Sequence, residues 1–453
     1  MHHLPDTFLS NCKELFNAEY PKFLDALQQP SPTSIRLNDK IAITPSDEQV
    51  SWCENAYYLK ERPLFTADPL FHGGAYYVQE ASSMFLYQAI KQHFINSEKV
   101  LDLCAAPGGK STLLSQTLSD STILICNEIV RSRAYILAEN IIKWGNPNVI
   151  VTNNEPKDFG DVPNYFDAIV VDAPCSGEGM FRKDNNAIGE WSLANVENCV
   201  ERQRNILTQV WDALKQEGIM VYSTCTYNTQ ENEENIAWIC KELGAEPLTI
   251  DIKENEDITV TNLGYRFYPH KTKGEGFFLA ILKKTSHPNR SYKAKLSNKK
   301  HSNLIKNITL PYFKLKNEHH WVVVENNKQL NAFPTTKHND YEFITDKFNC
   351  MVSGIFLGEI KGKDFIPSIN VALSKQLDLS SAITVELDYP TAIRYLKKES
   401  IILQDNQKNY IIVCYKGLPL GWVKNLGTRC NNMYPNEWRI RMNTNNFENQ
   451  IFH

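Results

Sequence analysis

The sequence predicts an α/β protein in which a parallel sheet, covered by helices on both faces, lies between a small N-terminal unit and β-rich C-terminal domains. Three observations predict it. Between residues 76 and 284, apolar strand-like runs alternate with amphipathic helical patterns, as parallel strands joined by crossover helices require. At 100–112 one such strand runs into a Gly-rich turn that opens a helix. After about residue 303 the pattern changes to short β-rich runs separated by turn residues.

At 453 residues the chain exceeds what one hydrophobic core usually spans, so several domains are expected. The N-terminal unit, 1–75, holds a helical pattern over Phe8 to Leu27, a break at Gln29-Pro30-Ser31-Pro32, and the run Ser34-Ile35-Arg36-Leu37-Asn38. The core, 76–285, begins with a strand at Lys99 to Leu103 and a helix from Ser111. Next come a strand at Thr122 to Cys126 with a helix over Arg131 to Trp144, and a strand at Phe166 to Val171 with a helix over Asn195 to Gln216. Gly218 to Ser223 and Gly276 to Lys284 read as further strands, with the helical Glu231 to Leu243 between them. A basic linker covers 286–303. A β-containing domain at 304–385 and another at 386–453 carry the runs Trp321 to Glu325, Ile411 to Tyr415 and Leu420 to Lys424.

Composition narrows the function classes. Hydrophobic residues at 42% and charged residues at 22% exclude general disorder. No apolar run approaches the roughly 18 residues of a spanning helix, and the N-terminus lacks a signal-peptide layout, so a cytoplasmic protein with no membrane partner is expected. Eleven cysteines, an odd number spread from Cys12 to Cys430 with no CxxC pair, argue against a disulfide framework or a metal site. The net charge of −4 does not address nucleic acid. However, Gly276 to Asn317 contains no acidic residue, and Lys283, Lys284, Arg290, Lys293, Lys295, Lys299, Lys300, Lys306, Lys314 and Lys316 all fall within it. That stretch reads either as a phosphate-attracting segment or as a solvated linker.

The chemistry concentrates at strand ends. Gly109-Lys110-Ser111 suggests a phosphate loop, but that motif needs a glycine where this chain has Cys104, and a nucleotide triphosphatase is excluded. Nicotinamide dinucleotide binding needs Gly-x-Gly-x-x-Gly, which is absent. Glu128, 19 residues past Gly109 and at the end of the second strand, suits the ribose hydroxyls of an adenosine ligand, which makes S-adenosylmethionine the better cofactor. Asp172 and Cys175 in Asp172-Ala173-Pro174-Cys175 stand at the carboxyl edge of another strand, where adenine N6 methyltransferases would place a stacking aromatic. Thr224-Cys225-Thr226 puts a second cysteine at that edge. Either thiol alone reads as buried core. A pair suits one reaction in particular. C5 of cytosine is too weak a nucleophile to attack a methyl sulfonium, but thiolate addition at C6 makes it enamine-like.

Together these residues resemble the Nop/Sun family of RNA cytosine-C5 methyltransferases, most closely the bacterial RsmF-type enzymes. The resemblance rests on Cys104 to Lys110, Asp172 to Lys183 (DAPCSGEGMFRK), Ser223 to Asn235 (STCTYNTQENEEN), Pro269-His270 and Gly274 to Phe278. It extends to Gly417 to Lys424 and Asn432 to Pro435, which are similar to the family's C-terminal PUA-like RNA-binding unit; on that likeness Trp422-Val423-Lys424 would form part of an RNA-contacting surface. The resemblance implies a Rossmann-like class I methyltransferase core, with Cys225 as nucleophile and Cys175 as the residue that releases product. Asp172 would contact the cytosine near the methyl donor, and Lys110 would help hold the base. Cys104, Ala105, Ala106, Pro107, Gly108, Gly109, Lys110, Glu128 and Asp172 would bind S-adenosyl-L-methionine. Glu155, or else Asn154, stands where the family has an acidic residue beside the adenine. Lys110 also reads as a capped helix start, Glu128 as a solvated strand end and His270 as a core histidine. The implied substrate is structured RNA with a flipped cytosine, small-subunit (16S) ribosomal RNA first and transfer RNA second, acted on by a monomer. A ribosome-assembly factor that binds RNA without turnover is the alternative from another class.

Overall fold

The computed structural model describes residues 4–42, 48–253, 257–287, 303–305, 309–403 and 408–442. Most of the basic linker, including Arg290 to Lys300, and Lys306 lie outside the described residues.

The helical pattern over Phe8 to Leu27 forms two helices, Asp6–Phe16 and Tyr20–Gln28, rather than one. Asn17 takes a left-handed φ of 46° at the end of the first, and Pro21, which has no N–H to give a continuous helix, sits in the first turn of the second. Phe8, Phe16 and Phe23 of this pair are buried with Phe181, Trp191, Tyr227 and Tyr268 of the core. Three antiparallel strands follow: β1 (Thr33–Leu37), β2 (Ala56–Leu59) and β3 (Tyr76–Val78), in the order β2-β1-β3. Because β3 pairs with β1, the N-terminal sheet runs past residue 75 into the segment expected to open the core.

The parallel strands are β4 (Lys99–Asp102), β5 (Ile123–Asn127), β6 (Val149–Thr152), β7 (Phe166–Asp172) and β8 (Leu214–Thr224), in the order β6-β5-β4-β7-β8. The order reverses at β4, so a crevice opens beyond its carboxyl end, where ligands of such sheets bind. Burial on both faces explains the near-continuous apolar runs. Leu124, Val151, Val170 and Val221 pack on one face, and Leu101, Ile125, Ile150 and Ile169 on the other. Beyond β8 the sheet continues through the chain segments β9 (Ala245–Leu248), β10 (Thr259–Thr261), β11 (Gly264–Phe267) and β12 (Phe277–Lys284). β12 is antiparallel to β8.

Two core expectations are corrected. The helix expected over Asn195 to Gln216 ends at Val210, and β8 begins at Leu214, because Leu214 pairs with Phe166 of β7 and sheet pairing overrides helical periodicity. Lys283 and Lys284 are not free for phosphate. Lys283 ion-pairs with Glu246 at 2.5 Å and Glu217 at 3.4 Å, while buried Lys284 donates to the Trp211 and Leu214 carbonyls at 2.8 and 2.9 Å.

The segment after 303 is not a detached appendage. Its five-stranded antiparallel sheet comprises Asn303–Ile305, Trp321–Asn326, Gln329–Pro334, Ile355–Lys361 and Asp364–Pro367. A separate strand, Cys350–Ser353, pairs antiparallel with β6 and extends the core sheet. The last sheet begins at Thr384–Glu386, on the N-terminal side of the expected 386 boundary, and continues with Asn409–Tyr415, Leu418–Asn425 and Cys430–Asn432. Its Trp422 and Val423 are buried, and Trp422 Nε1 donates to the Ser368 carbonyl at 2.8 Å. This corrects the reading of those two side chains as RNA-contacting surface.

The ends of the chain share one core, in which Ile35, Leu70 and Tyr76 meet Ile393, Tyr395, Ile411 and Val413. Half-buried Lys40 donates to the carbonyls of Gly73 at 3.2 Å, Lys143 at 2.6 Å and Leu373 at 2.6 Å, joining three parts of the chain. His72 adds a pH-dependent contact. Its ring bonds the Thr66 carbonyl at 3.0 Å and the Tyr434 hydroxyl at 3.3 Å, and burial drives its pKa down from 6.5 to about 3. An unfolded chain therefore takes up this proton first, so the stability His72 contributes is present above its unfolded value and is lost as pH falls toward 3. Relative to the parent chain, His72→Gln should flatten the acid-side loss of stability by about 1.4 kcal/mol per pH unit below pH ~6. Denaturant melts at pH 7, 6 and 5 check this, and parallel slopes would refute it.

Candidate active site

The Gly-rich turn leaves β4 and enters the helix Gly109–Thr117. Gly108 has φ 118°, a conformation side chains rarely adopt, which lets the chain reverse into the helix start. The turn is braced from the helix Arg131–Trp144. Arg133 donates to the Ala106 carbonyl at 3.0 Å, and Asn140 to that of Pro107 at 2.8 Å. Cys104 lies in this turn, its thiol pushed up by burial.

Two carboxyl groups stand by the turn. Asp102 is fully buried; its Oδ2 accepts from the Ser111 hydroxyl at 2.6 Å, its Oδ1 has no protein partner, and burial raises its pKa to about 7. Glu128 is also buried, accepts the Val130 N–H at 2.8 Å and faces Arg133 at 3.5 Å. An orphaned carboxyl oxygen, a second carboxylate and a reversed glycine turn make a donor set that fits a cationic, ribose-bearing ligand such as S-adenosylmethionine.

At the ends of β7 and β8 the structure brings the two cysteines together. The Cys175 and Cys225 sulfurs are 3.2 Å apart, and the Cys225 N–H donates to Cys175 Sγ at 3.3 Å. The hydrogen bond with Cys225, together with burial, holds the Cys175 thiol above its usual value. A thiol held protonated is a poor attacking nucleophile, and it can take up a proton only after giving up its own. Lys110 reaches Asp172 at 2.8 Å, and the Ser223 hydroxyl donates to the other Asp172 oxygen at 2.8 Å. Burial alone would depress Lys110, but the charges of Asp172, Cys225 and Asp102 outweigh it and keep the ammonium above its ordinary value.

Comparison with known proteins identifies a family. The model for the 16S rRNA methyltransferase RsmB/F family matches residues 90–283, that for the N-terminal domain of 16S rRNA methyltransferase RsmF matches 4–81, and that for the RsmF PUA domain matches 382–440. Ribosomal RNA small subunit methyltransferase F of Enterobacter sp. is 30% identical over 477 residues, which is 96% of this chain and 95% of that one. The chain belongs to the RsmF-type 16S ribosomal RNA methyltransferase family. The protein of the same description from Citrobacter koseri is also 30% identical, over 96% of each chain. Among solved structures, a methyltransferase homolog protein from Pyrococcus horikoshii superposes with a TM-score of 0.53 at 26% identity, covering 62% of this chain and 95% of that one.

Within this RsmF-type chain, both residues considered for the adenine contact are occupied locally. Glu155 caps the helix Pro156–Gly160 and ion-pairs with Lys157 at 2.5 Å, with over half its side chain exposed. Asn154 donates to Asp158 at 2.9 Å and accepts the Asn349 N–H at 2.9 Å. The His270 side chain is buried against Phe16, Phe23 and Tyr268 with Nε2 3.8 Å from the Glu19 carboxylate, and burial lowers its pKa. The sequence reading missed Arg36. From β1 this fully buried guanidinium bonds Gln79, Gln116, Thr112 and the Gly109 carbonyl and lies 4.6 Å over the Trp144 ring, tying the N-terminal unit to the glycine turn. Nothing local distinguishes Arg36 from a surface arginine, because its partners come from elsewhere in the chain.

Proposed function

We propose that this RsmF-type methyltransferase transfers a methyl group from S-adenosylmethionine to C5 of a cytosine in small-subunit ribosomal RNA, through a covalent bond between Cys225 and C6. The observation that carries this reading is the sulfur pair, 3.2 Å apart beside the Lys110–Asp172 ion pair at one strand edge.

Cys104 to Lys110, Asp102 and Glu128 would hold the cofactor, which supplies an electrophilic methyl group. Lys110 and Asp172 present a charged donor and an acceptor to the polar edge of a flipped base. Cys225 adds to C6 and turns C5 into a nucleophile. Once C5 carries the new methyl group, Cys175, as the thiolate left when its own proton passes to solvent, takes the C5 proton; the C–H electron pair forms the C5–C6 double bond, and the C6–S bond breaks with its pair returning to Cys225. A membership of this family and a β-rich C-terminal region matched by a PUA-domain model support ribosomal RNA as the substrate.

Bisulfite sequencing of ribosomal and transfer RNA from a strain lacking the protein tests the substrate. The expected result is loss of one 5-methylcytosine in small-subunit RNA, and an unchanged small-subunit pattern would sink the proposal. Glu128→Ala should weaken S-adenosylmethionine binding at least tenfold by calorimetry, because the charge-assisted bonds to the ribose are lost. Undiminished affinity would remove Glu128 from the site.

A further inference from the structure

Two buried carboxyl groups outside the proposed chemistry cross between the cysteine loops, one in each direction. Glu178, three residues past Cys175 in that cysteine's loop, accepts the backbone N–H groups of Tyr227 and Asn228 in the Cys225 loop, both at 2.9 Å. Glu231, from the Cys225 loop, accepts the Ser176 N–H at 3.0 Å and the Ser176 hydroxyl in the Cys175 loop. The backbones also meet directly, with the Gly179 N–H donating to the Cys225 carbonyl at 2.9 Å. A Cβ at Gly179 would stand 2.4 Å from the Gly276 carbonyl oxygen and 2.9 Å from that of Cys225, so the contact admits only glycine. The remaining acceptor capacity is filled both from outside the loops and from within the Cys225 loop. Trp191 donates to Glu178 at 3.0 Å and Gln203 to Glu231 at 2.7 Å, while the Asn228 side chain bridges both carboxyl groups at 3.2 and 2.8 Å.

Burying acidic groups costs stability unless each is fully hydrogen-bonded, and apolar side chains would fill the same space at lower cost. What directional bonds add is a fixed separation between two loops that no regular secondary structure joins. We propose that Glu178 and Glu231 form a reciprocal clasp that holds the Cys175 and Cys225 sulfurs in contact. Neither touches the reacting atoms; they are positioning residues acting through the opposite loop. The catalytic consequence rests on the reading of the cysteines given above, whereas the sulfur separation does not.

The test uses the full chain and diamide, which takes two electrons and both thiol protons as a Cys175–Cys225 disulfide forms, becoming the corresponding hydrazine. Peptide mapping follows the rate of that disulfide, a direct report on sulfur proximity. Glu178→Gln and Glu231→Gln keep the shape but turn an acceptor into a donor facing N–H groups. Each should slow disulfide formation at least tenfold and lower kcat at least tenfold. KM for RNA and S-adenosylmethionine affinity should stay within twofold. Folded variants with the parent's disulfide rate and kcat would overturn the clasp. A slowed disulfide with full turnover would support the clasp and count against the catalytic reading of the pair. Should the Gln variants fail to bind S-adenosylmethionine, Ser176→Ala removes one residue's side-chain bond to Glu231; a roughly threefold slowing is then expected, and the parent rate overturns the proposal.

Discussion

Cys225→Ala is expected to lower methylation by on the order of 10³-fold or more and to yield no covalent protein–RNA species. Cys175→Ala is expected to methylate once and then stall as an adduct that survives denaturing electrophoresis. The asymmetry follows from the order of bond changes: Cys225 makes the C6–S bond, and Cys175 acts only when that bond must break. The Cys175 thiol, kept protonated beside Cys225, is disfavoured for the first step, and once deprotonated it is the base that takes the C5 proton in the later one. An adduct with Cys225→Ala and none with Cys175→Ala would reverse the two roles and favour the arrangement used on DNA, where the cysteine after the proline attacks.

A chain ending at Lys284 is expected not to fold cooperatively. Such a truncation leaves the core matched by the methyltransferase model nominally complete, yet it uncovers Phe159, Val162 and Phe166, which pack with Phe333, Tyr341, Ile344 and Phe348. It also strips the N-terminal sheet of Ile393, Tyr395, Ile411 and Val413. Each large apolar side chain buried contributes about 1.5–3 kcal/mol, against a net stability of about 5–15 kcal/mol for a typical protein, so losing several exceeds the margin. Circular dichroism melts decide it, and a cooperative transition within a few degrees of the full chain would contradict the prediction.

Much of the central sheet was legible in the sequence because buried parallel strands write themselves as apolar runs. Residues 166–171 and 123–126 and the helix over 131–144 are local signals of that kind. The cysteines were legible because two thiols at successive strand ends are unusual. What escaped depends on partners far along the chain. The end of the helix at Val210 depends on pairing of Leu214 with Phe166, and the burial of Arg36 depends on Gln79, Thr112 and Gln116. Glu178 and Glu231 sit inside motifs quoted for their resemblance, but acidic letters in a loop do not reveal that each bonds the opposite loop. Trp422 misled for the same reason, since likeness to an RNA-binding unit does not reveal that Ser368, far along the chain, accepts its N–H.

The strand Cys350–Ser353, which closes the sheet against β6, also bears on how the protein is made. A nascent chain that has already emitted both cysteine loops still has β6 as an open edge, and its first sheet still awaits the residues after 386. The fold therefore closes only once the residues of the last sheet have been made. Products that stop short of it expose apolar surface and an unpaired strand, the features that chaperones and proteases recognise.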